Sequence, residues 1–136
     1  MPRSVPLKAL WLLLPAVLLG ACASLDKNER LTSLDNTLKN YDRAIRWVQF
    51  DAAWAFHKWD EGERQAPPAS LKNVRVTEYK VVATHMAVDN LSYTQTVHIA
   101  YYLLDSPRER RLTDRQRWEY DADAKRWWLV SEMPQF

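Results

Sequence analysis

The sequence predicts an α+β domain, an N-terminal helical region packed on an antiparallel sheet. Three observations carry this. Apolar residues recur at alternating steps of three and four from Leu31 to Trp59, the period of one helix face. After Pro68 the texture changes to β-branched and aromatic runs with period two. Short polar clusters separate those runs and leave room only for antiparallel neighbours. Helices followed by a meander of about four strands give two layers around one core.

The chain opens with a different kind of segment. Arg3 and Lys8 supply positive charge, residues 9–19 (ALWLLLPAVLL) form an apolar run of 11, and Gly20, Ala21 and Cys22 follow. That run is shorter than the about 18 residues of a spanning helix, and Pro15 interrupts it. Leu19-Gly20-Ala21-Cys22 resembles a bacterial lipobox, which closes a secretory signal. The resemblance implies cleavage of residues 1–21, a diacylglyceryl group on the Cys22 thiol and an acylated amine. Three acyl chains hold firmly where one, at about 0.8 kcal/mol per buried methylene, binds marginally. Ala23 and Ser24 follow the cysteine, and the aspartate that retains many lipoproteins in the inner membrane is absent after it. The expected address is the periplasmic face of the outer membrane.

This reading changes the charge balance. The whole chain has 19 basic and 17 acidic residues, but Arg3 and Lys8 leave with the signal, so residues 22–136 are formally neutral. A neutral domain lacks the bulk basicity of a nucleic-acid binder. Acylation consumes the only cysteine, which excludes disulfides, thiol catalysis and thiolate metal sites.

Residues 22–28 are expected to be a short tether reaching ~20 Å when extended, at about 3.3–3.6 Å per residue. Residues 29–136 then form a single domain. Asp26 and Glu29 have capping-box spacing for a helix start. The stripe Leu31, Leu34, Leu38, Tyr41, Ile45, Val48, Ala52, Ala55 and Trp59 follows, with Asp35, Lys39, Asp42, Arg43 and Arg46 opposite. A second ridge of Trp47, Phe50 and Trp54, with Asp51 as a plausible cap, predicts a bend at 49–51. Gly62 and Pro67-Pro68 are the expected end of the helical region. Strands are expected at 74–83, 93–104, 110–120 and 126–133, with 84–88 extending the first across a bulge. Asp89-Asn90, Ser106-Pro107-Arg108 and 121–124 are the expected turns.

The element order and the ending Arg117-Trp118-Glu119-Tyr120, turn, Arg126-Trp127-Trp128-Leu129-Val130 resemble the nuclear-transport-factor-2-like (cone) fold. There, helices lie across a curved antiparallel sheet and a last-strand tryptophan packs beneath them. The chain departs from that pattern in lacking a clear third helix and in having few strands.

Candidate sites follow from residue type. His57, His85 and His98 show no metal-ligand spacing, and structural or surface roles outweigh a metal role; no metal and no cofactor is expected. Cone-fold enzymes use an Asp or His with Tyr inside an apolar cavity, which makes His98, Tyr79, Tyr101, Tyr120 and Glu78 the candidates here. Period two sets His98 on the face opposite Val97, Ile99 and Tyr101, so catalysis is not the expectation. Six tryptophans follow Cys22, and filling the core accounts for most of them. Trp127 and Trp128 are adjacent and must point to opposite sheet faces. Arg111, Arg115 and Arg117 share a parity with Thr113 and Glu119, making one polar face that is either simply solvated or a contact for an anionic partner. The expected binding surface is therefore Trp127, Trp128, Arg111, Arg115 and Arg117, with Cys22 as the lipid site. The expected function is a membrane-anchored binding domain contacting an envelope protein or glycan and no nucleic acid. The alternatives are a cone-fold pocket for a small apolar ligand, or a sheet-to-sheet homodimer.

Overall fold

Residues 23–31 contain neither Gly nor Pro and include the helix formers Leu, Lys, Glu and Arg, so nothing in them stops a helix. The computed structural model describes the backbone from residue 14 and the side chains from residue 22 to the C-terminus; residues 1–13 of the expected signal lie outside the described residues. α1 runs Leu14–Arg46 without interruption. Asp26 is thus inside a helix and caps nothing. Residues 22–28 are helical and exposed where an extended tether was expected, and at about 1.5 Å per residue they span ~10 Å. Among the described residues no helix is long and apolar enough to cross a membrane.

Of the stripe, Leu34, Tyr41 and Ile45 are buried on α1, with Ala44 beside them. The stripe stops at Val48, whose φ of 51° is left-handed. The Val48 N–H donates to the Ile45 carbonyl and the Gln49 N–H to the Ala44 carbonyl, at 3.1 and 2.8 Å. Those two bonds are a Schellman cap with a β-branched residue where glycine is usual. α2 is short, Phe50–Trp54, and follows Gln49 rather than a capping Asp51. Phe50 and Trp54 are buried, whereas Trp47, placed on the same ridge, is 70% exposed. Helix does not continue to Gly62 because the backbone finds another partner. Leu129 donates to the Phe56 carbonyl at 2.8 Å and accepts from the Lys58 N–H at 2.9 Å, so residues 56–58 cover the sheet edge.

A 3₁₀ turn at Ala69–Asn73 leads into the sheet. Its strands are β1 (Val74–Met86), β2 (Ser92–Leu103), β3 (Ser106–Asp121) and β4 (Arg126–Leu129), a four-stranded antiparallel meander in the order β1-β2-β3-β4. The α+β architecture is the one read from the sequence. β1 reaches Met86 across register shifts at Val76/Glu78 and Val81/Ala83. The β2–β3 turn is Leu104-Asp105, tighter than the Ser106-Pro107-Arg108 turn expected, since Leu103 pairs with Ser106. β4 ends at Leu129, short of 133, and the tail turns back. The Ser131 hydroxyl accepts from the Arg117 N–H at 3.0 Å, Met133 is buried, and Phe136 packs edge-on against Phe50 and Tyr101.

The core lies between α1 and one sheet face. Trp118 is fully buried there, with its ring edge-to-face against Tyr41 at 5.2 Å between centroids. Trp127, 1% exposed, donates its indole N–H to the Arg30 carbonyl at 3.0 Å and ties β4 to the helix.

Candidate binding surface

Period two on β3 divides its side chains cleanly. Asp114, Gln116 and Trp118 are buried towards α1, while Arg111, Thr113, Arg115, Arg117 and Glu119 are exposed on the other face. Cross-strand register completes that open face. Thr94, Thr96 and His98 of β2 sit opposite Arg117, Arg115 and Thr113, and Lys80 of β1 sits opposite His98. At the far edge Trp128 pairs with Glu119 and Arg126 with Asp121. Arg111 bonds Glu109 at 3.1 Å and Arg117 approaches Glu119 at 3.6 Å, whereas Arg115 has no direct ion pair among the described residues. On α1, by contrast, Lys39 and Arg46 are each paired to an aspartate one turn earlier, Asp35 and Asp42. The structure therefore gathers Arg111, Arg115, Arg117 and Trp128 onto one face, as their parity required.

Trp127 is a correction. It belongs to the core and not to the expected surface, because Leu129 and Trp127 share the inward parity of β4 and α1 lies over them. Trp128 is half-buried, with the Arg126 guanidinium 3.7 Å above its ring.

The histidines do not converge. His98 is exposed on the open face, His85 sits opposite Thr94 further along β1, and His57 lies beyond α2. Among the described residues no group of three or more His, Cys, Asp or Glu could hold a metal. Tyr101 is buried against Phe136, and Tyr120 stacks at a tilt on Trp127 beneath Arg30, whose guanidinium is 5.5 Å from the Tyr120 ring centre. Glu78 lies on the open face. Cys22 is exposed on α1.

The buried polar cluster inside the domain went unread in the sequence. Asp114 is 5% exposed and accepts from Gln116 Nε2 at 2.7 Å. The same amide donates to the Tyr79 hydroxyl at 2.9 Å, and Gln116 Oε1 accepts from Gln95 Nε2 at 2.7 Å and from the Trp118 indole at 3.2 Å. Burial raises the Asp114 carboxyl to about 6, partly opposed by the Gln116 hydrogen bond. Burial also raises Tyr79, with Asp114 adding to it, and raises Tyr41 well above its ordinary value; the Tyr41 hydroxyl has no hydrogen-bond partner among the described residues. The signal available in the sequence was the even parity of Asp114 and Gln116 with Trp118 on a strand whose odd positions are charged. Asp114 also lines a groove of about 360 Å³ between β3 and the C-terminal tail, which is open to solvent. No protein-family model, no curated protein and no solved structure matches this chain.

Proposed function

We propose that this is a lipid-anchored envelope protein, tethered through Cys22 to the periplasmic face of the outer membrane, that acts by binding and without catalysis. Its open sheet face holds an anionic envelope partner, a protein or a glycan. One observation carries the reading: on one uncovered face Lys80, Arg111, Arg115, Arg117 and Arg126 stand against Glu78, Glu109, Glu119 and Asp121, and Arg115, in the middle of that row, has no direct ion pair among the described residues. A sheet-to-sheet homodimer would bring those cations against their own copies, so a different, acidic partner fits the face better. The lipobox resemblance supports the anchor, and the exposure of Cys22 suits acylation.

The test places a photo-crosslinking residue at position 115 and, as control, at position 39 on the exposed face of α1, in cells producing the acylated protein. The expected result is one stoichiometric adduct from position 115, lost when Arg111 and Arg117 are both changed to Thr. Equal adducts from both positions, or none, would overturn the reading. Cys22→Ser is expected to abolish acyl labelling and release the protein from the membrane.

A second reading, a pocket domain binding or transforming a small apolar ligand, rests on the Asp114–Tyr79–Tyr41 cluster. A raised carboxyl beside phenols is suited to proton transfer. It requires that Asp114→Asn abolish ligand turnover in a folded protein.

A further inference from the structure

Where residues 56–58 cover the β4 edge, a cleft of about 420 Å³ opens between the chain that follows α2 and the β3–β4 turn. Three cations line it, Lys58 and Arg64 from one wall and Arg126 from the other. None of the three makes a direct ion pair among the described residues. The single carboxylate in the cleft, Asp121, is already engaged. It accepts the N–H groups of Asp123 and Ala124 at 3.0 Å each, and those bonds, with Trp128 and Lys58 nearby, hold it below the usual carboxylate range.

The donors are preorganised. The Arg126 guanidinium carbon sits 3.7 Å from the centre of the Trp128 ring, a cation–π contact that holds the side chain at the cleft wall. His57 is packed against Trp59 with ring centres 4.4 Å apart, and burial lowers its pKa, opposed by the Ser131 backbone. The Trp128 indole N–H is buried beside the Asp121 carboxylate and helps to hold it below the usual carboxylate range. A cleft with three unpaired cations and one carboxylate already engaged by backbone N–H groups has the charge to hold an oxyanion.

We propose that this cleft binds a phosphomonoester, with Arg126 and Arg64 on its oxygens and Lys58 as a point charge. Three cations against one carboxylate leave two positive charges, the charge of a phosphomonoester dianion and twice that of a phosphodiester. The cleft is larger than a bare phosphate, so the group enters with the fragment that carries it. The site shares Arg126 and Trp128 with the edge of the open face but uses neither Arg111 nor Arg115, so a variant of those two separates it from the open-face reading.

The test uses the full chain carrying Cys22→Ser, so that no acyl group drives flotation: calorimetric titration with inorganic phosphate, and flotation with vesicles of phosphatidylcholine containing phosphatidic acid or, at equal mole fraction, phosphatidylglycerol. Expected is saturable binding that falls at least tenfold in Arg64→Gln/Arg126→Gln and is unchanged in Arg111→Thr/Arg115→Thr. Binding of inorganic phosphate identifies a soluble phosphomonoester as a ligand; flotation with phosphatidic acid alone identifies a lipid headgroup. The proposal is overturned if neither phosphate nor phosphatidic acid binds, if phosphatidylglycerol binds equally well, or if the folded Arg64→Gln/Arg126→Gln protein binds undiminished.

Discussion

Trp127 and Trp128 are neighbours in sequence and opposites in structure. One is enclosed beneath α1 with its N–H on the Arg30 carbonyl; the other lies on the open face under the Arg126 guanidinium. The same division runs along β3, where Asp114, Gln116 and Trp118 face the core while Arg115, Arg117 and Glu119 face outward. A single strand thus supplies both the packing that keeps the domain folded and the charges offered to a partner. Because side chains on the two faces do not touch, substitutions on one face leave the other intact, and their effects on stability and on binding separate.

The largest separation is expected between the tryptophans themselves. Trp127→Ala removes a buried indole, its contact with Tyr120 and the hydrogen bond to α1, and is expected to cost about 3–5 kcal/mol. Against a total of roughly 5–15 kcal/mol for a small domain, that leaves the protein near its unfolding threshold. Trp128→Ala on the half-buried outer face is expected to cost about 1 kcal/mol. Denaturant melts of both variants check this; equal losses would show that the two faces are not independent.

A smaller effect of opposite sign is expected inside the core. The folded-state pKa of Asp114, about 6, lies above its ordinary 3.8, so the fold favours the protonated carboxyl. For such a group the native state holds more protons than the unfolded chain between pH 4 and 6. Stability from this residue is therefore greatest below about pH 4, declines as pH rises, and is lowest above about pH 6. The span corresponds to roughly 3 kcal/mol at about 1.4 kcal/mol per pKa unit. Asp114→Asn keeps an oxygen for Gln116 to donate to and removes the charge. It is expected to stabilise the protein at pH 7.5 by about 2 kcal/mol, raising Tm by roughly 8–16 °C, and to flatten this part of the pH profile. An unchanged profile would mean that water reaches Asp114 through the groove beside the tail.

What could be read from the chain alone divides along physical lines. Strand faces were legible because period two is local: Val97, Ile99 and Tyr101 are buried and His98 is not, as their alternation requires. The end of α1 was not, because a Schellman cap formed on Val48 carries no glycine to mark it. The loss of helix after Trp54 depends on Leu129, a partner more than seventy residues away that no local pattern announces. For the same reason the Arg111–Arg115–Arg117 face was visible in one strand's parity, whereas the cleft joining Lys58 and Arg64 to Arg126 exists only through the pairing of distant segments.

The smallest effect on stability is expected on the open face. In Arg111→Thr/Arg115→Thr, threonine is a good strand residue and Arg115 gives up no ion pair, while Arg111 loses only an exposed contact with Glu109. The melt should shift by no more than about 0.5 kcal/mol in either direction. If the face meets an acidic partner, capture of that partner should fall at least tenfold in the same variant. In the unmodified protein, capture should also weaken as salt rises from 50 to 500 mM, because exposed charges are screened over a Debye length of about 10 Å at 0.1 M and less above it. Capture that survives both the substitutions and the salt would leave these arginines as solvated sheet decoration, and would move the binding function off the face that the parity of β3 exposes.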